Sequence, residues 1–144
     1  MKFRFETVLK VHKEQENLIK KELGMINTHM QNQMDRLRFM EGIAVERKKE
    51  LNQILDQGMN IDRLVLYNNF FTGVKQEKEK QEKVIAEVNE KLNLKKKDLV
   101  QSMMKRRTME ILKEREQTAF KKKQNKTEIA LNDETGSNQW RINS

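Results

Sequence analysis

Apolar residues between positions 5 and 54 recur in alternating steps of four and three, and the spacing never slips. A 3.5-residue repeat keeps one narrow apolar stripe along a helix, the pattern of helices that pair in a coiled coil. A helix of an ordinary globular domain usually ends within about 20 residues. This stretch therefore predicts one long helix with a face that needs a partner. The stripe, named the first seam, consists of Phe5, Leu9, His12, Glu16, Ile19, Leu23, Ile26, Met30, Gln33, Leu37, Met40, Ala44, Arg47, Leu51 and Ile54.

The composition permits long helices and excludes several classes of function. The 144 residues include no proline, so nothing forces a helix to break. Disorder is the alternative for a chain that is 36% charged, but an unbroken register argues against it. Without cysteine there is no disulfide, thiolate nucleophile or cysteine-bound zinc, and His12 and His29 alone make no metal site. No signal segment or membrane span is recognisable, so we expect a soluble intracellular protein without a cofactor.

The register breaks at Gln57-Gly58-Met59-Asn60. Gly58 suits the left-handed position just past a helix end, and Asn60 or Asp62 can cap a second helix. We predict helix 1 over about 3–57, a turn over about 58–61, helix 2 over about 62–131, one domain over 1–132 and a flexible tail over 133–144.

Helix 2 carries a second seam in the same steps. Its members are Leu64, Tyr67, Phe71, Val74, Lys78, Gln81, Ile85, Val88, Leu92, Lys95, Leu99, Ser102, Arg106, Met109, Lys113, Glu116 and Phe120. The seam is strongly apolar up to Leu99 and ragged afterwards, which indicates a register shift near residue 100 or a different partner beyond it. A short turn makes the helices antiparallel neighbours, so Phe5 should face about Leu112 and residues 115–131 should project past helix 1. The predicted fold is all-α: an antiparallel two-helix coiled-coil hairpin with helix 2 overhanging and a frayed C-terminal tail.

Two surfaces are candidate binding sites. Leu66 and Phe70 lie four residues apart off the second seam and predict an aromatic patch for a partner, unless Met59 and Ile61 fold over them. Residues 91–126 carry more net positive charge than the whole chain, which has +8. Such a basic helix suits an acidic protein, an anionic membrane or nucleic acid, and a solvated face is its commonest meaning. No cleft or Gly-rich phosphate loop supports catalysis, so we expect no enzyme activity.

The chain resembles the flagellar export protein FliJ family, the small coiled-coil component of the flagellar type III secretion apparatus. The resemblance runs from Phe3 to about Glu134 and rests on the order and spacing of several short features. These are Phe3-Arg4-Phe5-x-x-Val8-Leu9, Tyr67-x-x-Phe70, Leu112-Lys113-Glu114-Arg115 and Asp133-Glu134. The sequence departs from the family after Glu134, where Thr135-Gly136-Ser137 and then Trp140 follow.

The resemblance implies a non-enzymatic stalk of bacterial flagellum biogenesis, and hence of motility and chemotaxis. It would insert into the hexameric export ATPase ring, promote ring assembly and activity, and link the ring to the membrane export gate and to export chaperones. Such a protein would be cytoplasmic, peripheral at the inner membrane beneath the flagellum, and would not bind nucleic acid. The implied ring-binding residues are Phe3, Arg4, Phe5, Leu9, Arg106, Arg107, Leu112, Arg115 and Phe120. The implied gate-binding residues are Leu66, Tyr67, Phe70 and Val74.

Three other interpretations remain open at this point. The chain could be a structural or tethering coiled coil that forms homodimers, the stalk of a related injectisome or rotary ATPase, or a basic helical protein that binds nucleic acid. Fold arguments alone do not separate these from a flagellar stalk.

Overall fold

The structure, a computed structural model, describes residues 4–58 and 60–143. Within these residues the chain is all-α, with α1 spanning Glu6–Gln57 and α2 spanning Ile61–Asn143. The two helices pack against each other as a hairpin, which confirms the predicted fold class. The first hydrogen bond of α1 runs from the Leu9 N–H to the Phe5 carbonyl oxygen at 2.9 Å, so the helix begins at Glu6 and not at about residue 3.

The chain reverses at Gly58, whose φ of 88° lies in the left-handed region that favours glycine. Its N–H donates to the Leu55 carbonyl oxygen at 3.3 Å, which closes the last turn of α1. Asn60 then caps α2, because its side-chain oxygen accepts a hydrogen bond from the Arg63 N–H at 2.9 Å. The sequence interpretation of both residues is therefore correct.

The hairpin divides into two compact units, each built from a segment of both helices. The terminal unit comprises Met1–Leu18 and Leu99–Ser144, and the turn unit comprises Ile19–Asp98. In the terminal unit the most buried residues are Leu9, Glu16 and Ser102. In the turn unit they are Gln81, Val88 and Leu92.

The two predicted seams form these cores. Every member is buried or half-buried except Phe5, Arg47, Leu64 and Phe120. The register shift expected near residue 100 is wrong, because Ser102, Arg106 and Met109 continue the same buried track while Met103, Ile111 and Leu112 are exposed. The apolar repeat is irregular after Leu99 because several seam positions of the terminal unit hold polar side chains in place of apolar ones.

Helix α2 continues past its predicted end near residue 131, as far as Asn143. The chain has no proline to stop it, and the single Gly136 costs only about 1 kcal/mol relative to alanine in a helix interior. Thr135, Gly136 and Ser137 therefore lie within a helix, where the sequence interpretation placed a non-helical tail. The flexibility of residues 133–144 stays a prediction.

Candidate functional site

The terminal unit is held together by ion pairs between its two helix segments. The Arg106 guanidinium bonds to Glu16, which is only 4% exposed, and to Glu110 at 2.9 Å. Nearer the chain start, Lys113 pairs with Glu6 at 3.1 Å. The sequence predicted that Phe5 faces about Leu112. Glu6 and Lys113 are the next residues along each helix, so the predicted pairing of the helices is correct here. Hydrogen bonds from Arg106 lower the pKa of Glu110, and hydrogen bonds to Glu110 and Glu16 raise the pKa of Arg106.

The predicted ring-binding residues fall into two groups. Leu9 is only 2% exposed and Arg106 is engaged with Glu16 and Glu110, so both belong to the interior of the terminal unit. The exposed group consists of Arg4, Phe5, Arg107, Leu112, Arg115 and Phe120. The Arg4 guanidinium lies over the Phe5 ring at 5.5 Å from its centroid, and Arg107 pairs with Glu110 and Glu114. Phe3 lies outside the described residues.

The segment of α2 from 117 to 141, named the overhang, is exposed at every position. Helix α1 begins at Glu6, which pairs with Lys113, so no part of α1 covers the overhang within the described chain. Among the described ion pairs, none includes the overhang's lysines, which are Lys121, Lys122, Lys123 and Lys126. Phe120, Lys123 and Glu128 border a shallow groove on this segment. The overhang therefore presents an aromatic ring near lysines that form none of the described ion pairs.

The turn unit carries an apolar groove to which both helices contribute. Met40 and Ile43 of α1 form one wall, and Phe70, Gly73 and Val74 of α2 form the other. Phe70 is half-buried and packs edge-on against Phe71, with ring centroids 5.6 Å apart. Two of the predicted gate-binding residues, Phe70 and Val74, thus meet in one concave surface. The contribution of α1 was not predicted, because Met40 was assigned only to the first seam and Ile43 was not singled out.

The remaining predicted gate-binding residues lie nearer the turn. Leu66 is 67% exposed, whereas Tyr67 is half-buried. Partial burial raises the pKa of Tyr67, and a hydrogen bond with Glu50 of α1 adds to the rise. The 67% exposure of Leu66 shows that Ile61 does not cover it, as the alternative interpretation required. Met59, the other residue of that alternative, lies outside the described residues.

Buried polar contacts also bridge the helices of the turn unit. Gln81 donates from Nε2 to the backbone oxygen and to Oε1 of Gln33, at 2.9 and 2.8 Å. Lys95 pairs with Glu22 at 2.7 Å, and this hydrogen bond raises the pKa of Lys95. Sequence reasoning placed Gln33, Gln81 and Lys95 on the seams but assigned them no mutual contact. Their positions within the repeat were the available signal.

No group of acidic or histidine side chains suited to a metal ion occurs among residues 4–58 and 60–143. Neither described helix has a stretch long and apolar enough to cross a membrane.

An all-α hairpin of two long paired helices defines the chain as a coiled-coil protein. Comparison with protein families identifies which one: the model of the flagellar FliJ protein family matches residues 1–144. The chain belongs to the FliJ family, a non-catalytic component of the flagellar export apparatus. No curated protein and no solved structure is significantly similar to the chain.

Proposed function

We propose that this member of the FliJ family is a stalk of the export apparatus that enters the hexameric export ATPase ring through its terminal unit. There it promotes ring assembly and ATP hydrolysis, it links the ring to the export gate, and it assists export-chaperone traffic. It acts in the cytoplasm, peripheral at the inner membrane. The observation that carries the proposal is the overhang, an exposed helix with Phe120 beside four lysines that have no acidic partner among the described residues.

The exposed residues of the terminal unit suit insertion between protein subunits. Phe5, Leu112 and Phe120 supply apolar contact area, and exposed aromatic residues are common anchors of protein interfaces. The lysines of the overhang, together with Arg115, suit acidic or polar loops of the ring. Contacts that differ between successive states of the ring would bias its hydrolysis cycle.

The decisive experiment measures ATP hydrolysis by the cognate export ATPase with and without this protein, at near-equal concentrations and moderate salt. Deleting residues 117–144 should abolish stimulation while leaving the paired part of the hairpin folded, because the overhang supports no core. Stimulation that survives this deletion would place the working surface elsewhere. No stimulation by the full chain, with its helix content verified, would favour a tethering coiled coil.

Charge reversal separates attraction to the ring from folding. Reversing Lys121, Lys122 and Lys123 to glutamate should remove most of the stimulation. The matched control reverses Lys91, Lys96 and Lys97, three exposed lysines of the turn unit, and should leave stimulation intact. Arg106 is unsuitable for this purpose because it pairs with the buried Glu16. Equal effects of the two sets would mean that only net charge matters.

The groove of the turn unit is the proposed gate site. Its support is that Phe70 and Val74 combine with Met40 and Ile43 in one apolar surface beside the exposed Leu66. Phe70→Ala should weaken binding to the cytoplasmic part of the gate protein, measured by calorimetry, whereas Phe39→Ala should not. Phe39 is a more exposed ring on α1 that does not line the groove. Unchanged binding by the Phe70 variant would remove this assignment.

A further inference from the structure

The polar pair Gln33 and Gln81 lies in a mostly apolar part of the turn-unit seam. On α1 its neighbours along the seam are Met30 and Leu37, and on α2 they are Lys78 and Ile85. Apolar side chains occupy most seam positions of the turn unit, and these pack comparably when one helix is displaced by seven residues along the other. Apolar packing by itself therefore discriminates poorly between registers.

The glutamine pair does discriminate. Gln81 is only 5% exposed, and its side-chain amide makes both of its described hydrogen bonds to Gln33. Displacement by one heptad in either direction replaces Gln33 as its neighbour by Ile26 or Met40, which offer no side-chain acceptor. In a displaced register the buried Gln81 amide would lose its side-chain acceptor and could bond only to a backbone carbonyl oxygen. A buried amide with fewer partners destabilises a structure, so both displaced registers are disfavoured.

We propose that Gln33 and Gln81 act as a register lock that holds the turn unit in a single alignment of α1 against α2. The short turn restrains the helices only where the chain reverses, and unwinding a helix end beside it would still permit a displaced register.

The nearby ion pair of Glu41 with Lys78 fits the same alignment, but its side chains are 46% and 41% exposed, and ion pairs so accessible to water contribute little. The Lys95–Glu22 pair also fits only this alignment, but its carboxylate is 41% exposed. Gln81, at 5% exposure, is the most deeply buried polar residue of the unit and therefore the group that a displaced alignment disfavours most.

The chain contains no cysteine, so engineered cysteine pairs report the register without background. The native pair is Glu41→Cys with Lys78→Cys, at facing positions where Glu41 Oε1 and Lys78 Nζ lie 3.3 Å apart. The displaced pairs combine Lys78→Cys with Met34→Cys or Lys48→Cys, each one heptad from Glu41 and exposed. One heptad spans about 10 Å along a helix, and a disulfide requires Cα atoms within about 7 Å. Each pair therefore reports one register.

Oxidation of dilute full-length protein, read as intramolecular disulfide by mass, tests the lock. With Gln33 and Gln81 intact, only the native pair should close efficiently. In the Gln33→Leu/Gln81→Leu variant, at least one displaced pair should close at least tenfold faster than before. The control variant Gln53→Leu/Gln76→Leu, altered at exposed glutamines of the same two helices, should match the parent chain.

Two outcomes would overturn the lock. One is a leucine variant that closes the native pair alone. The other is a parent chain that closes the displaced pairs readily. If the leucine variant does not fold by circular dichroism, the Gln33→Met/Gln81→Met variant, whose side chains keep the length of glutamine, takes its place with the same expected result.

Discussion

The side-chain nitrogen of Gln81 donates to Gln33 twice, to the backbone oxygen at 2.9 Å and to the side-chain oxygen at 2.8 Å. The two residues belong to different helices and meet inside the turn unit. A hydrogen bond of this kind adds little net stability, because both groups would otherwise bond to water. Its loss on one side only is costly, since a buried amide then remains without a partner.

Replacing Gln33 alone by leucine should therefore lower the free energy of unfolding by about 1–3 kcal/mol, because the buried Gln81 amide loses its side-chain acceptor. The double variant Gln33→Leu/Gln81→Leu should recover most of this loss, because no unpaired amide remains. Urea denaturation followed by circular dichroism measures both values. A single variant as stable as the parent chain would show that water replaces the lost partner.

Leu9 and Leu18 of the terminal unit allow a buried and an exposed leucine to be compared. Leu9 is 2% exposed and Leu18 is 56% exposed. Leu9→Ala should lower the free energy of unfolding by about 2–5 kcal/mol, because it removes buried methyl groups and leaves a cavity. Leu18→Ala should change it by less than about 0.5 kcal/mol. Thermal and urea denaturation provide the measurement. Similar effects of the two substitutions would contradict the assignment of Leu9 to the core.

The contacts of Glu110 predict sensitivity to acid. Hydrogen bonds from Arg106 hold its pKa below the ordinary value, so its ionised form is favoured more in the folded than in the unfolded chain. This contribution to stability is present above the unfolded pKa of about 4.3 and is lost as the pH falls through the lower folded pKa.

Glu110→Gln should consequently reduce stability at neutral pH and flatten the decline of Tm between about pH 5 and pH 3. The control Glu79→Gln changes an exposed carboxylate of the turn unit and should keep the steep decline of the parent chain. Parallel curves for the parent and the Glu110 variant would show that this carboxylate does not drive acid sensitivity.

Alanine substitutions at Gly73 and Gly42 separate an effect on helix stability from an effect on the groove. Neither glycine has an atom within 4 Å of the place where a Cβ would lie, so alanine fits at both positions. Each substitution should stabilise its helix by about 0.5–1 kcal/mol. Only Gly73 lines the groove. Gly73→Ala should therefore raise Tm yet weaken binding to the gate protein, whereas Gly42→Ala should raise Tm alone; equal gate binding by both would argue against the groove.

The sequence predicted many residues of the proposed ring-binding surface. It did not predict which of them are buried between the helices and which are exposed. The spacing placed Leu9, Arg106 and Phe120 on the seams without indicating which would be covered. Phe120 is exposed because α1 does not extend alongside it, and Arg106 is engaged because Glu16 lies across from it. A seam residue of α2 is buried only where α1 runs alongside it. Which residues of α2 have α1 beside them depends on how the two helices pair.

The sequence by itself determined the two long helices, the turn at Gly58 and the faces along which the helices meet. Local hydrogen bonding and a 3.5-residue apolar repeat act within one segment, so their consequences can be read from neighbouring residues. Only the tertiary structure decided which polar seam residues become partners, such as Gln33 with Gln81, and which walls combine into the groove. These contacts join residues far apart in the chain, and their geometry exists only after the helices have packed.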